Sequence, residues 1–307
     1  MNRRKFIERT GVLSAATLFP LAACTEKETQ EKEDPETYTP QYKLGYQLFS
    51  IRDEMEKDPI ATLKALKELG YQDFEHYGYD EAAGTFYGFK PAELKKMLED
   101  MELNISSGHY GFSPFLEKSD DELKKFVDGC IEGSKALGAD YITWPWLAPE
   151  QRNLESYKIL IEKLKLIGKQ VTDAGLGFAY HNHGYEFEDL GGTTAYDMVM
   201  NETDPNEVKL QLDMYWLKRS SNFTPQQLID KQPGRFTMWH IKDMDPKTED
   251  YTELGNGSID YTTFLPDPKS SGLEFFYIEQ GGNFTHNSMQ SAIDSGNYFK
   301  KHLQKFL

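Results

Sequence analysis

The sequence predicts one α/β domain closed into a (β/α)8 TIM barrel, and three observations predict it. From residue 42 onward, short β-branched or aromatic runs alternate with longer amphipathic stretches, the pattern of βα units around a parallel sheet. Eight such runs occur, the number that closes a barrel. No Gly-x-Gly-x-x-Gly turn follows the first of them, which removes the main reason to favour an open dinucleotide-binding sheet.

The chain opens with Arg3-Arg4-Lys5-Phe6-Ile7 and then an apolar, small-residue stretch at 11–23. Residues 1–23 therefore read as an export signal, because so short a stretch cannot span a bilayer core of ~30 Å. The arginine pair resembles the twin-arginine type of signal. Leu21-Ala22-Ala23-Cys24 resembles the lipobox of bacterial lipoproteins, which makes Cys24 the expected lipidation site. The periplasm or cell envelope is then the expected location, with the lipid anchor as the only membrane contact. Residues 24–41 are charged, hold two prolines and have little to bury, so they read as a tether to a barrel at 42–307.

Strands are expected at 43–50, 73–77, 104–110, 141–146, 177–183, 209–216, 237–242 and 275–279. Helices are expected at 59–69, 91–101, 120–137, 154–173 and 288–306. Gly70, Gly138 and Gly175 stand just past three of them, where a left-handed stop is needed. Cys130 sits inside a helical run and is expected to be a buried, inert thiol, and with Cys24 at the anchor no disulfide framework remains.

At 307 residues, 38% apolar and 13% aromatic, the chain can bury one large core. Its formal charge is −16, and loss of residues 1–23, with four basic residues and one acidic, takes it to −19. Such a surface repels phosphate backbones, which argues against a nucleic-acid partner and favours a neutral sugar over a sugar phosphate.

In a barrel of this kind the chemistry sits where strands end. The last four strands end in Tyr180-His181-Asn182-His183, Leu212-Asp213, His240-Ile241-Lys242-Asp243 and Ile278-Glu279. At period two, His181 and His183 share a side. His181, Asp213, His240 and Glu279 would give two imidazoles and two carboxylates, a set suited to one Mn²⁺, Zn²⁺, Fe²⁺ or Co²⁺ ion rather than Ca²⁺. Glu279, His183, Glu75 and Lys242 are the candidate proton-moving or charge-steadying groups. For Lys242 the structural alternative is a salt bridge to Asp243 or Glu75. His109, Trp144, Trp146, Tyr215 and Trp216 are the candidate sugar contacts, with core filling as the alternative for the aromatics.

The segments GYQDFEHYG, YHNHGYEFE, QLDMYWL, WHIKD, LGNGSID and YIEQGG resemble the sugar phosphate isomerase/epimerase superfamily with its xylose isomerase-like barrel, over about 42–307. In the epimerase branch, the resemblance implies, a Glu, Asp, His and Glu from the last four strands hold the metal and the two Glu shuttle protons. Asp213, His240 and Glu279 match the last three; His181 stands where that branch has Glu. The expected function is metal-assisted proton abstraction beside a carbonyl of a sugar or keto-sugar, as an isomerase or epimerase. Loss of one carboxylate and the export signal make a lyase or hydratase acting on 3-keto-glycosides the alternative. A lipoprotein that binds sugar without turnover is the alternative from another class.

Overall fold

Eight parallel strands pair edge to edge until the last meets the first, which leaves no open sheet edge. They are β1 (Gly45–Gln47), β2 (Asp73–His76), β3 (Asn104–His109), β4 (Tyr141–Trp144), β5 (Gly177–His181), β6 (Lys209–Asp213), β7 (Met238–Ile241) and β8 (Phe275–Ile278). The computed structural model describes residues 40–307. The segment expected to be an export signal, Cys24 and nearly all of the expected tether lie outside the described residues; Gln41, the last residue of that expected tether, donates its amide to the Leu307 carbonyl at 2.9 Å.

The outer ring is built by helices whose ends are written locally. Helix α1 (Pro59–Glu68) starts at Asp58, and α2 (Pro91–Asp100) starts with a proline at its first turn. Helix α3 (Asp120–Leu137) has a reciprocal capping box between Ser119 and Glu122 and ends at Gly138, whose φ of 87° only glycine adopts cheaply. Helix α4 (Leu154–Asp173) is capped by Asn153. Its buried face, Leu160, Leu164, Ile167 and Val171, repeats at three and four residues and packs toward the barrel. Cys130 lies in the same layer, buried and free, and burial pushes its thiol up.

Strand ends depart from the sequence pattern in ways that matter for the site. The run expected at 43–50 stays extended only through Gln47, whose side chain accepts the Phe49 amide and starts a helical turn at Leu48–Ile51. The run expected at 209–216 stops at Asp213, because that side chain accepts the Trp216 amide and caps the helix Met214–Ser220. Pro145, which has no amide to donate, follows the last residue of β4. The helix expected at 288–306 is α-helical over Ser288–Tyr298, then a wider turn at Phe299–Leu303 and a tight one at Gln304–Phe306.

Inside the barrel, side chains stack in layers. Tyr141, Ala179, Met238 and Tyr277 form an apolar lower cluster. Above it, Gln47, Glu75, Ser107, Thr143 and Gln211 are polar and buried. The strands' C-terminal ends carry the third layer, where His181, Asp213, His240 and Glu279 meet.

Candidate metal centre and substrate cavity

The third layer is a tight group: His181, Asp213, His240 and Glu279 each offer a ligand atom within 4.8 Å of the others. His240 Nδ1 lies 2.5 Å from Glu279 Oε2, and His181 Nε2 lies 3.7 Å from Asp213 Oδ2. Buried atoms in this group, Asp213 Oδ2, His240 Nδ1, Glu279 Oε2 and His181 Nδ1, have no hydrogen-bond partner of good geometry. Two imidazoles and two carboxylates gathered this closely are a donor set that suits a single divalent first-row metal ion. Burial and then the neighbouring His240 hold the His181 imidazole well below its ordinary value, which favours its neutral form.

Glu75 supports this layer from below. It is fully buried, and its two oxygens meet Ser107 Oγ at 2.7 Å, Gln211 Nε2 at 2.6 Å, Gln47 Nε2 at 2.5 Å, His240 Nε2 at 2.6 Å and His109 Nε2 at 3.0 Å. Burial alone would raise it, but His109 and His240 outweigh burial and hold it well below the usual carboxylate range. A carboxylate on the far nitrogen of a ligating histidine fixes the ring's tautomer and orientation. Glu75 therefore lies in the middle layer, held by protein groups, and is not among the residues that line the cavity.

Lys242 lines the cavity, and its salt-bridge partners are not those the structural alternative named. Its ammonium reaches Asp213 Oδ2 at 2.6 Å and Glu279 Oε2 at 2.8 Å, not Asp243 or Glu75. Asp243 is occupied elsewhere: it accepts the amides of Met244, Gly255, Gly257 and Ile259 at 2.8–3.1 Å and so folds the segment 244–259. A Cβ at Gly257 would collide with that carboxylate. Burial works against the Lys242 charge, yet Asp213 and Glu279 push the ammonium well above its ordinary value; Glu279 is correspondingly held low, against its burial.

Of these groups His181, Lys242 and Glu279 line a cavity of about 440 Å³, together with His109 and His183. Phe49, Tyr77, Tyr110, Trp146 and Tyr251 form its walls. A wider concavity of about 1150 Å³ is an open, charged groove over α3 and α4, far from the strand ends. His183 Nδ1 has no hydrogen-bond partner among the described residues, and burial, then Lys242, keep the imidazole well below its ordinary value, in its neutral form.

Of the expected sugar contacts, His109 and Trp146 line the cavity. Trp144 does not: it is buried, stacked on Phe112 at 5.1 Å, and its Nε1 donates to the Trp146 carbonyl at 3.0 Å. Tyr215 and Trp216 do not line it either, because the chain has already turned into a helix after Asp213. Tyr215 donates to the Glu249 carbonyl at 2.9 Å, and Trp216 packs behind His183 at 5.5 Å.

The family described as xylose isomerase-like TIM barrel matches residues 63–279. The chain belongs to that family. A sugar phosphate isomerase/epimerase from Parabacteroides distasonis ATCC 8503 has a solved structure 25% identical to this chain, covering 87% of it and 96% of its own length, with a TM-score of 0.76. A second protein so described from the same organism is 24% identical, covers 85% and 98%, and has a TM-score of 0.72. An L-ribulose 3-epimerase at 15% identity, 86% and 95% coverage and a TM-score of 0.65 shares the fold. No curated protein matches the chain.

In this xylose isomerase-like barrel several segments named from sequence turn out to build the site's frame. In YHNHGYEFE, Glu186 accepts the His183 amide and the Tyr180 hydroxyl, each at 2.8 Å, while the Asn182 amide side chain clasps both backbone groups of Asp213. Gln47, Gln211, Phe49, Tyr77 and Tyr251 were not anticipated. A glutamine between two leucines at Leu210-Gln211-Leu212 was a readable signal of a polar interior; Tyr251 arrives on the small hairpin of Asp243–Met244 with Tyr251–Thr252, which only long-range folding reveals.

Proposed function

We propose that this barrel is a metal-dependent enzyme of the sugar isomerase/epimerase type, abstracting a proton beside a carbonyl of a sugar or keto-sugar. The observation that carries the reading is the tight buried cluster of His181, Asp213, His240 and Glu279, of which His181 and Glu279 line a cavity that His183 also lines. The 25% identical relative described as a sugar phosphate isomerase/epimerase supports it. An unphosphorylated sugar fits better here, since Lys242, the one Lys or Arg among the described residues that line the cavity, is already paired with two carboxylates.

A divalent ion held by the four ligands supplies Lewis acidity toward the substrate carbonyl and its neighbouring hydroxyl. His183, neutral and lining the cavity, accepts the proton from the adjacent carbon; the C–H electron pair forms the new C=C bond and the carbonyl π pair moves onto the oxygen. Lys242 donates to that developing oxyanion. Return of the proton to carbon gives the isomer or epimer. Glu279, whose Oε2 is held between His240 and Lys242, is the carboxylate on the other side of the cluster from the His183 strand.

A second reading, elimination from a 3-keto-glycoside by a lyase or hydratase, is favoured by one observation. Phe49 and Trp146, 41% and 42% exposed, stand at the cavity mouth, where a group attached to the sugar would meet them. The test is incubation of the metal-loaded protein with ketoses and 3-keto-glycosides in D2O. Deuterium in recovered substrate or epimer supports the first reading; release of the attached group supports the second; neither, over long incubation, would leave sugar binding without turnover.

The exported, lipid-anchored state belongs to the same proposal and is supported by the residues up to Cys24. In cells, Cys24→Ala is expected to move the protein from the membrane fraction to the soluble one. Unchanged partition would remove the anchor.

A further inference from the structure

Asp213 has two carboxylate oxygens, and the fold already uses one. Oδ1 accepts the Trp216 amide at 2.9 Å and caps the following helix, so only Oδ2 remains for the ligand cluster. Lys242 sits on that atom at 2.6 Å, and on Glu279 Oε2 at 2.8 Å. The ammonium is therefore bridged between two of the four candidate ligands, in a position only 3% exposed.

Its backbone is held in place. The Tyr261 hydroxyl accepts from the Lys242 amide at 3.2 Å and donates to its carbonyl at 2.6 Å, so any adjustment falls to the flexible side chain. No replacement carboxylate stands ready: Asp243 is filled by four backbone amides, and Glu75 by its five partners. What remains is the cavity, which Lys242 already lines and where the Tyr251 ring lies 5.9 Å from its Nζ.

We propose that Lys242 and the metal ion compete for Asp213 Oδ2 and Glu279 Oε2, so that loading the site turns Lys242 from a carboxylate partner into a cation facing the cavity. Two positive charges sharing one buried carboxylate oxygen repel strongly where water screens little. Without the ion, the ammonium spares the two buried carboxylates each other's repulsion. With it, the floor carries one surplus positive charge beside the place where an oxyanion forms. Lys242 thereby links metal loading to readiness for substrate. The inference rests on the proposed metal-dependent reading of the cluster.

The test is calorimetric titration of metal-stripped protein with Mn²⁺ and with Zn²⁺, for the wild type, Lys242→Met and Lys242→Arg. Lys242→Met is expected to bind roughly tenfold tighter or more, and Lys242→Arg, which keeps the charge, to stay near the wild type. Equal or weaker binding by a folded Lys242→Met, with the wild type binding normally, overturns the competition and leaves the metal site standing. Binding by none of the three overturns the metal reading itself. A second measurement needs no substitution: reductive methylation of lysines, read by peptide mass spectrometry, should label Lys242 only when metal is present. Labelling that ignores the metal counts against the displacement.

Discussion

Asp213 holds a helix end with one oxygen and faces the cluster with the other, so substitution can separate its two tasks. Asn keeps an oxygen for the Trp216 amide but loses the charge. Asp213→Asn should bind close to no metal, by elemental analysis, while the wild type binds close to one ion per chain; Asp213→Ala should in addition lose about 1 kcal/mol of stability with the cap. Metal retained by Asp213→Asn would remove this residue from the ligand set. Asp73, at the lower end of β2, carries a different expectation. Burial lifts its carboxyl from 3.8 to about 7, despite hydrogen bonds from Ser106, Asn104 and the Phe74 amide. A folded value above the unfolded one means that the folded state binds the proton more tightly. This contribution is fully present below about pH 4 and is lost as pH rises toward 7. The gap in melting temperature between Asp73→Asn and the wild type should therefore shift in favour of the variant from pH 4 to 7.5. A constant gap would show that this carboxyl titrates normally.

At the scale of elements, the segment between β7 and β8 depends on one side chain. Asp243 gathers four amides along 244–259 and so brings Tyr251 to the cavity wall. Asp243→Ala leaves those amides without their charged acceptor, each such loss costing ~1–3 kcal/mol where water cannot substitute. Hydrogen exchange at Gly255, Gly257 and Ile259 should accelerate well beyond that of the barrel strands; uniform exchange would mean that the loop is held by other contacts. Arg235 does similar work at the foot of the barrel. Buried, it donates to the Val199, Met200 and Val208 carbonyls and the Thr203 hydroxyl, closing the end of the helix Ala195–Glu202.

For the whole molecule, a metal that binds only the folded barrel stabilises it by mass action. At about a hundred times Kd that amounts to ~2.7 kcal/mol. In a domain of this size each kcal/mol raises Tm by ~2–4 °C, so Mn²⁺ or Zn²⁺ should raise it by roughly 5–10 °C and a chelator should reverse the change. No shift with any first-row divalent ion would contradict a preorganised site. Closure of the sheet is the physical reason: the four candidate ligands come from neighbouring strands, β5 to the end of β8, so an ion bound by them would tie together a quarter-turn or more of the ring.

Residues 40–307 show which features local sequence determined and which it did not. The alternation of apolar runs, the Ser119 and Asn153 caps, Gly138, and His181, Asp213, His240 and Glu279 at strand ends were legible, because each depends on a residue's own backbone neighbourhood. Where a strand stops by capping a helix was not legible, and that one detail took Tyr215 and Trp216 away from the cavity. Nor were the partners of charged groups across the barrel. Glu75 lies 136 residues from Gln211 and 165 from His240, and Lys242 chose Asp213 and Glu279 over its neighbour Asp243. Periodicity reports which way a side chain points from its own strand; the register of eight closed strands decides what it meets there.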